Sequence, residues 1–401
     1  MVTVLDSTLR EGEQTPGVAF DLHIKLAIAD LLDAIGVDVI EAGHPAVSDE
    51  IRSAVEALSG RGLRVTVAAH ARSLDRDVRL ALECGVGFLG IFYCVSDDRL
   101  GDQGKTLRSA VDQIAGVIAR AREAQPGIVI RYTPEDAVRS PFENVVAAAS
   151  AAVESGADII SVADTTGTMI PGTSRSLYDF LSRLIERLAE RDLTPRFAVH
   201  CHNDRGLALA NALDGVRAGA TIVDASVLGL GERAGIVDLA ALLAVLAIDM
   251  GENRFDLARL TELYALVSRY AGVPVPVNLP VCGANAFTHC AGVHTQAAIR
   301  NPLHYQSLPP EPFGRRSQIA LDHMAGMATL RHCLDRIGEH DVDPELAGLV
   351  LAKVKEVGAR GRSIDDAELA YIVRFLRFRR ENNAPRVSAL DRPDRRKAAA
   401  G

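Results

Sequence analysis

The sequence lacks closely spaced cysteines, since its six cysteines are scattered along 401 residues without a CxxC pair. This spacing excludes a small disulfide-stapled module and predicts reduced thiols, as in the cytoplasm. The longest uninterrupted apolar run, residues 239–248, is ten residues long, which is too short to cross a bilayer. The N-terminus, MVTVLDSTLREGEQ, has no basic segment followed by an apolar one and therefore does not resemble a secretory signal. We expect a soluble cytoplasmic protein without a membrane partner.

An excess of basic residues is also absent. The chain has 44 Lys and Arg residues against 52 Asp and Glu residues, for a net charge of −8. Proteins that bind nucleic acids or anionic membranes in general are usually basic, so neither partner is favoured. Small anionic substrates are compatible with this charge, because they respond to local charge. The hydrophobic content of 48% and the charged content of 24% exclude wholesale disorder.

One pattern recurs four times in the first 230 residues. Gly36, Gly85, Gly156 and Gly219 each follow an Ala-rich amphipathic stretch and precede a short run rich in β-branched residues. A glycine in this place suits the left-handed conformation that ends many helices. The apolar run that follows suits a buried parallel strand. The pattern therefore predicts helix–strand units in series, the first helix beginning after Asp21 as its N-cap and ending at Gly36.

Four further strand candidates, at residues 3–5, 64–70, 128–132 and 196–200, alternate with these runs. Interleaving gives eight strands with helical connections over about 235 residues, which is typical of a (β/α)₈ TIM barrel of the α/β class. A doubly wound open sheet is the alternative. It is less favoured, because no GxGxxG follows the first strand and the unit count reaches eight.

The pattern changes after the eighth unit. We expect a TIM-barrel catalytic domain over residues 1–252, an α-rich C-terminal lobe over 253–380 and a flexible tail over 381–401. In the lobe, periodicity predicts helices at 324–338, 344–358 and 365–378. The His-rich stretch 287–312 shows little periodicity and is predicted as a loop.

Most predicted strands end in ionisable or hydroxyl side chains, and barrel enzymes place their reacting groups at these carboxyl ends. His200 and His202 are two residues apart on the seventh strand, so both can face the barrel mouth. With Glu11, which follows the first strand, they form a candidate site for a divalent metal such as Zn, Mn, Mg or Co, with coordination positions open for substrate. The alternative is a pair of hydrogen-bonded histidines without a metal.

Arg10 lies next to Glu11 in the sequence. Beside a metal-bound 2-oxo acid, its guanidinium could stabilise the negative charge that develops on the keto oxygen. The alternative is a surface salt bridge, which contributes little. Gln14 and His70 follow the first strand and end the third, and we include both among the candidate substrate-binding residues.

The fifth and sixth strands add further candidates. Arg131 and Thr133 can both face the mouth, where Arg131 suits a second acidic group on the substrate and Glu135 could orient it. A structural ion pair is the alternative for Arg131. Thr165, after the sixth strand, could hold the substrate carboxylate, or it could be a simple turn hydroxyl.

Together, the segments LDSTLREGEQTPGVAF, EAGHP, RYTPEDAVRS, ADTTG, HCHNDRGLALANAL and GLGERAG resemble the homocitrate synthase / 2-isopropylmalate synthase family, in order from residue 3 to about residue 330. The resemblance implies condensation of acetyl-CoA with a 2-oxo acid on a TIM barrel with a C-terminal lobe, in a domain-swapped homodimer. It implies that Glu11, His200 and His202 bind the metal, that Arg10 polarises the keto group and that Thr165 holds the substrate carboxylate.

In the lobe, FTHCAGVHTQA resembles the family segment that supplies a catalytic histidine to the partner subunit's barrel, with His294 as that histidine. Tyr305 is similarly placed to a family tyrosine near the acetyl group. Arg131 in RYTPED resembles the homocitrate synthase branch, which implies 2-oxoglutarate as the oxo acid. Leu74 departs from that branch, so phosphonopyruvate, oxaloacetate and 2-oxoisovalerate stay open as substrates. A hydroxymethylglutaryl-CoA-lyase-type activity is the competing reaction, and HNDRGLALAN favours the synthase.

Overall fold

A computed structural model describes residues 1–290 and 292–383 of the chain. The chain divides into two compact units, residues 1–286 with 312–314, and residues 287–311 with the chain from residue 315. The boundary expected after residue 252 therefore lies after Ala286. Most of the tail expected at 381–401 lies outside the described residues. None of the described helices is long and apolar enough to cross a membrane.

Eight parallel strands close into a barrel in the order β1 to β8, which confirms the predicted TIM barrel. The strands are β1 Thr3–Asp6, β2 Val39–Glu41, β3 Thr66–Arg72, β4 Phe88–Cys94, β5 Val129–Glu135, β6 Ile159–Asp164, β7 Arg196–Cys201 and β8 Ile222–Ala225. In the second unit, β9 Thr288–His289 pairs in parallel with β10 Gln318–Ile319.

The helices of the first unit are α1 Leu22–Ile35, α2 Asp49–Ser59, α3 Asp75–Glu83, α4 Asp97–Asp102, α5 Leu107–Ala124, α6 Phe142–Glu154, α7 Leu177–Ala189, α8 Ala208–Ala218, α9 Leu239–Ala244 and α10 Leu260–Ala271. Those of the second unit are α11 Gly292–Arg300, α12 Met327–Arg336, α13 Pro344–Gly358 and α14 Asp366–Asn383. Helix α11 lies inside the stretch predicted as a loop, because nine residues are too few for a clear helical period.

Capping explains the helix limits in the barrel. Asp21 accepts a hydrogen bond from the Ile24 backbone N–H at 2.9 Å and so begins α1. The four repeat glycines all have positive φ, with Gly36 at 92°, Gly85 at 73°, Gly156 at 109° and Gly219 at 121°. A side chain is strained in this conformation, which explains why the repeated pattern uses glycine.

Helix α10 explains why the first unit extends beyond residue 252. The fully buried Tyr264 hydroxyl accepts a hydrogen bond from the Ala240 backbone N–H at 2.7 Å and donates one to Asp238 at 2.9 Å. These bonds join α10 to the segment that follows β8. The second unit has its own apolar core, in which Leu330, Leu346 and Val373 are buried.

Candidate active site

The barrel interior is organised in layers. One layer is apolar and takes a residue from each strand: Leu5, Val39, Ala68, Phe88, Val129, Ile159, Ala198 and Ile222. Side chains two residues apart share a face of a strand, so the next layer toward the carboxyl ends is fixed by the first. Its members are Ser7, Glu41, His70, Gly90, Arg131, Ser161, His200 and Asp224. A two-residue step along the barrel thus leads from an apolar layer to a layer that contains two carboxylates, an arginine, two histidines and two serines.

A cavity of ≈ 210 Å³ opens above this layer. Its lining contains all the sequence-predicted site residues of the barrel, together with residues that the sequence analysis did not include. The lining residues are Arg10, Glu11, Gln14, His44, His70, Phe92, Arg131, Thr133, Glu135, Ala163, Thr165, His200, His202, Asp224 and Glu232.

Glu11, His200 and His202 lie together in this cavity, as predicted. One ligand atom from each lies within 4.8 Å of the others. The Nε2 atoms of His200 and His202 are 3.3 Å apart, and His200 Nε2 is 4.0 Å from Glu11 Oε2. Two imidazole nitrogens and one carboxylate oxygen form the ligand set of an open divalent-metal site.

The protonation pattern of these side chains fits a cation. His200 Nδ1 lies 3.0 Å from Asp224 Oδ2, and a carboxylate only accepts, so Nδ1 carries the proton and Nε2 presents its lone pair. Burial, followed by the neighbouring His200, lowers the pKa of His202 to about 3, which keeps this imidazole neutral. His202 Nδ1 is buried without a hydrogen-bond partner in the described part of the chain. Two imidazole Nε2 atoms that face each other beside a carboxylate are suited to a divalent metal.

The carboxylate of Glu11 is held ionised. Burial alone would raise its pKa, but Arg10 and the two histidines lower the pKa below its ordinary value. The Glu232 backbone N–H donates to Glu11 Oε1 at 3.2 Å. A Cβ on Gly231 would lie 3.0 Å from Glu11 Cγ and Oε1, so the glycine in GLGERAG gives this carboxylate its space.

Arg10 is fixed at the cavity wall by two carboxylates. Its Nε donates to Glu41 Oε2 at 2.7 Å, and its Nη1 pairs with Glu11. Burial acts to lower the pKa of Arg10, but Glu41 and Glu11 raise it, so this side chain stays cationic. Charge and position are thus preorganised for an oxygen that becomes negative.

Glu41, at the end of β2, connects the charged side chains of the layer. It accepts hydrogen bonds from Ser7 at 2.6 Å, Arg10 at 2.7 Å and Arg131 at 3.0 Å, and its Oε1 lies 3.1 Å from His70 Nδ1. Burial would raise its pKa, but Arg10, His70 and Arg131 hold the pKa well below the usual value. Glu41 was not predicted as a site residue, although a carboxylate at the end of an apolar strand is a signal that could have indicated it.

Arg131 is paired with Asp224 and Glu41, and not with the predicted partner Glu135. It is 1% exposed, and its Nη1 donates to both carboxylate oxygens of Asp224 at 2.8 and 2.9 Å, while Nη2 donates to Glu41. Glu135, which was expected to orient it, instead pairs with Arg99 at 3.3 Å. The reason is the layer arrangement, since Glu41 and Asp224 share the level of Arg131 and Glu135 lies four residues further along β5.

The hydroxyls predicted to bind substrate both reach the cavity. Thr133 Oγ1 is buried without a hydrogen-bond partner in the described chain, so it has capacity for a ligand. Thr165 Oγ1 accepts from the Asp136 backbone N–H at 2.9 Å, which leaves its own proton to donate. Gln14 lies beside Glu11 at the same wall.

His70 stacks on Phe92, with ring centroids 4.7 Å apart and planes inclined by 12°. Burial and then Arg10 lower its pKa to about 4, so this imidazole is neutral near pH 7. A Cβ on Gly90 would lie only 3.0 Å from His70 Nδ1 and 3.6 Å from Arg131 Nη2. A glycine inside a strand indicates close approach of another group, and here the groups are site residues.

The two site residues predicted in the C-terminal lobe lie next to each other. The rings of His294 and Tyr305 stack with centroids 4.3 Å apart and an interplanar angle of 29°. Both side chains are exposed, Tyr305 by 47%. Nearby in sequence, His289 Nε2 lies 3.2 Å from the Gln306 side-chain oxygen.

Comparison with known proteins identifies the family of this chain. Residues 1–267 match the HMGL-like family, and residues 281–362 match the family described as homocitrate synthase post-HMGL domain-like. Homocitrate synthase from Pyrococcus abyssi is 44% identical over 339 residues, covering 84% of this chain and 91% of the relative. The chain belongs to the homocitrate synthase family.

Other members of this family are also similar along most of their length. Homocitrate synthase from Saccharolobus islandicus is 40% identical over 88% of this chain and 76% of the relative. Among solved structures, the HMG-CoA lyase of Bacillus subtilis has a TM-score of 0.58 at 23% identity, covering 69% of this chain and 95% of the lyase. At that identity the likeness shows the barrel fold alone. The family matches and the homocitrate synthase relatives confirm the resemblance to this family that the sequence motifs indicated.

Proposed function

We propose that this protein condenses acetyl-CoA with 2-oxoglutarate and hydrolyses the thioester, releasing homocitrate and CoA. Its family makes it an acetyl-CoA-dependent acyltransferase that acts on a 2-oxo acid. The observation that carries the proposal is the convergence of Glu11, His200 and His202 within 4.8 Å, beside the Arg10 guanidinium in one cavity.

Glu11, His200 and His202 would hold a divalent metal, whose identity we leave among Zn, Mn, Mg and Co. When bound, such an ion supplies a Lewis acid for the keto and carboxylate oxygens of the oxo acid. Imidazole ligands favour Zn, Co or Mn over Mg, which prefers oxygen.

The reaction needs a base, an electrophile and water. A base removes one proton from the acetyl methyl group, and the resulting enolate carbon forms a bond to the keto carbon of the oxo acid. The keto oxygen becomes an alkoxide and takes up a proton, and water then cleaves the thioester. Arg10, fixed by Glu41 and Glu11, would stabilise the negative charge on that oxygen.

The substrate carboxylates would lie on opposite sides of the keto group. Thr165 can donate its hydroxyl proton to the carboxylate next to the keto carbon. The distal carboxylate would lie against Thr133 and Arg131, whose Oγ1 and Nε atoms are both buried without a partner in the described chain. His70 lies on the same side, in contact with Phe92. A second acidic group in the substrate gives these donors partners, as 2-oxoglutarate does.

We also propose that the lobe supplies the base in a domain-swapped homodimer, as the family resemblance implies. His294 would take the acetyl proton, since imidazole titrates near neutral pH. Tyr305 would lie near the acetyl group. Two features support this role: the side chains are exposed, and they stack on each other, so the pair is presented as one unit. Glu135, which pairs with Arg99 at the cavity edge, is the barrel residue proposed to assist proton transfer.

The experiment that tests the substrate follows thiol release from acetyl-CoA with a panel of oxo acids. The panel contains 2-oxoglutarate, phosphonopyruvate, oxaloacetate, pyruvate and 2-oxoisovalerate. We expect the highest kcat/KM for 2-oxoglutarate. A higher value for another acid would replace the proposed substrate, and thiol release without any oxo acid would indicate simple thioester hydrolysis.

A further inference from the structure

We propose that Asp224 is a positioning residue of the metal site, which fixes the ring of His200 and is itself fixed by Arg131. The inference rests on the metal site of the proposed function but not on the identity of the oxo acid. It gives Arg131 a second task, acting through Asp224 on a metal ligand.

The register of β7 and β8 brings His200 and Asp224 together. Ala198 pairs with Ile222 and Val199 with Val223 in the parallel ladder. Two residues further along each strand, His200 and Asp224 therefore face the barrel interior at the same level. The side chains meet there, with Asp224 Oδ2 3.0 Å from His200 Nδ1.

The contact with Asp224 determines which tautomer His200 adopts. Because Asp224 accepts the Nδ1 proton, His200 is held in the tautomer whose Nε2 lone pair faces the metal site. His200 Nε2 lies 3.3 Å from His202 Nε2 and 4.0 Å from Glu11 Oε2. A rotated ring or the other tautomer would direct an N–H at these groups, so metal binding would first require the ring to rearrange.

Asp224 is itself held in place by Arg131. It is 1% exposed, and Arg131 Nη1 donates to both of its carboxylate oxygens at 2.8 and 2.9 Å. Arg131 is held from the other side by Glu41, at 3.0 Å from Nη2. A buried carboxylate is stable only when it is paired, so Arg131 both neutralises Asp224 and fixes the direction of its oxygens.

The experiment measures metal affinity in protein stripped of metal, by competition between the protein and a chromophoric chelator for Co²⁺ and for Zn²⁺. Asp224→Ala removes the acceptor of the His200 proton, and we expect the affinity to fall about 10–100-fold, as for other partners of metal-bound histidines. We also expect the visible absorption of the Co²⁺-loaded variant to shift. Asp214→Asn is the control, because Asp214 is a buried aspartate that contacts Ser176, Tyr178 and Arg217 and does not line the cavity, and its affinity should equal that of the wild type.

Arg131→Met tests the same relation without changing Asp224. We expect it to weaken Co²⁺ binding in the same direction but less than Asp224→Ala, and it keeps the inference testable should Asp224→Ala fail to fold. Circular dichroism shows whether each variant is folded. A folded Asp224→Ala protein with wild-type affinity and spectrum would overturn the inference, as would an unchanged affinity in Arg131→Met where Asp224→Ala is unfolded.

The outcomes separate this inference from the proposed function. A wild-type protein that binds neither ion would overturn both the metal site and the role of Asp224. A wild-type protein that binds metal but prefers another oxo acid would contradict only the proposed substrate. Wild-type metal binding together with unaffected variants would contradict only the role of Asp224.

Discussion

The barrel and the C-terminal lobe present their candidate catalytic side chains in opposite ways. In the barrel, Glu11, Arg10 and His200 are largely buried, and each is held by a defined partner. In the lobe, His294 and Tyr305 are exposed, and they stack on each other. A buried and hydrogen-bonded group is held in one orientation, whereas an exposed imidazole is accessible to a proton donor or acceptor. The difference is consistent with the proposed roles, in which Arg10 in the barrel stabilises charge and His294 in the lobe removes the acetyl proton.

Some buried polar atoms at the barrel cavity have no hydrogen-bond partner in the described chain. Most buried polar atoms in folded proteins have partners, and exceptions are enriched at functional sites. In the described barrel, Arg131 Nε, Thr133 Oγ1 and His202 Nδ1 are buried without partners and belong to residues that line the cavity. Similar atoms belong to residues outside the cavity lining, namely Ser59, Ser73, Ser161, Thr166 and Asn211. The three atoms at the cavity have the capacity to bind a ligand, whereas the carboxylate of Glu41 already has protein partners.

Glu11→Gln should have the largest effect, because it removes the proposed anionic ligand of the barrel site. We expect turnover to fall below detection and the affinity for divalent metal to drop, while the fold persists because Gln is isosteric. Steady-state thiol release and metal content after dialysis are the measurements. Asp214→Asn serves as the control, and full activity of the wild type in the presence of a strong chelator would contradict the metal site.

His294→Ala should have the next largest effect and tests the lobe side of the comparison. Loss of a general base costs about 10²–10⁴-fold in rate. The variant should fold and bind oxo acid, yet fail to exchange the acetyl protons of acetyl-CoA with deuterated solvent. Retained exchange, followed by NMR, would point to another base.

Mixing two inactive variants tests whether the lobe of one subunit acts on the barrel of its partner. If the lobe acts on the partner's barrel, refolding Glu11→Gln together with His294→Ala should produce mixed dimers in which one barrel site is intact and is served by an intact lobe. We expect about a quarter of wild-type activity from statistical mixing, since half of the dimers are mixed and each has one working site. No recovery, with mixed dimers demonstrated by differential tags, would contradict the exchange of lobes.

The barrel could be predicted from the sequence because each unit repeats a local signal, a glycine after a helix and before an apolar run. The candidate metal ligands could be predicted because His200 and His202 are two residues apart at the carboxyl end of one strand. Glu41 and Asp224 could not be placed in the same way, since their importance depends on which strands become neighbours when the barrel closes. The polar layer becomes visible only when the register of all eight strands is known.

The lobe was harder to predict for a different reason. Helices α12 to α14 have a clear apolar period and were predicted close to their observed limits, with Pro344–Gly358 in full agreement. Helix α11 was missed because it spans only nine residues, Gly292–Arg300. The domain boundary was placed too early because α10 resembles the later helices in pattern. The buried hydroxyl of Tyr264 is one of the contacts by which α10 belongs to the barrel unit.

Arg131→Ala should have a smaller effect than loss of the metal ligand or of the base. Arg131 contributes to binding the distal acidic group, so KM for the oxo acid should rise more than KM for acetyl-CoA. Hydrogen bonds to charged groups contribute about 1.5–3 kcal/mol, which corresponds to a change of roughly 10–150-fold. Arg131→Lys should recover part of the loss. Equal changes in both KM values would contradict the substrate role and leave only the link to Asp224.

Asp238→Asn should have the smallest effect. We expect it to change stability and to leave activity unchanged, because Asp238 is a largely buried acidic residue that does not line the cavity. Burial raises the pKa of Asp238 from 3.8 to about 6 in the folded chain. The folded state therefore binds this proton more tightly than the unfolded state, and the stabilisation is complete below pH 3.8 and is lost as the pH rises through 6. Asn can still begin α9, because its side-chain oxygen can accept from the Ala241 backbone N–H as Asp238 does at 2.9 Å.

Urea unfolding at several pH values measures this difference. The free energy of unfolding of the wild type relative to Asp238→Asn should fall between pH 4 and 6.5, by about 3 kcal/mol at most. Metal affinity should be unchanged, because Asp238 pairs with Tyr264 and does not line the cavity. Parallel stability curves across this range would show that the pKa of Asp238 is not raised in the folded protein, which would contradict the prediction.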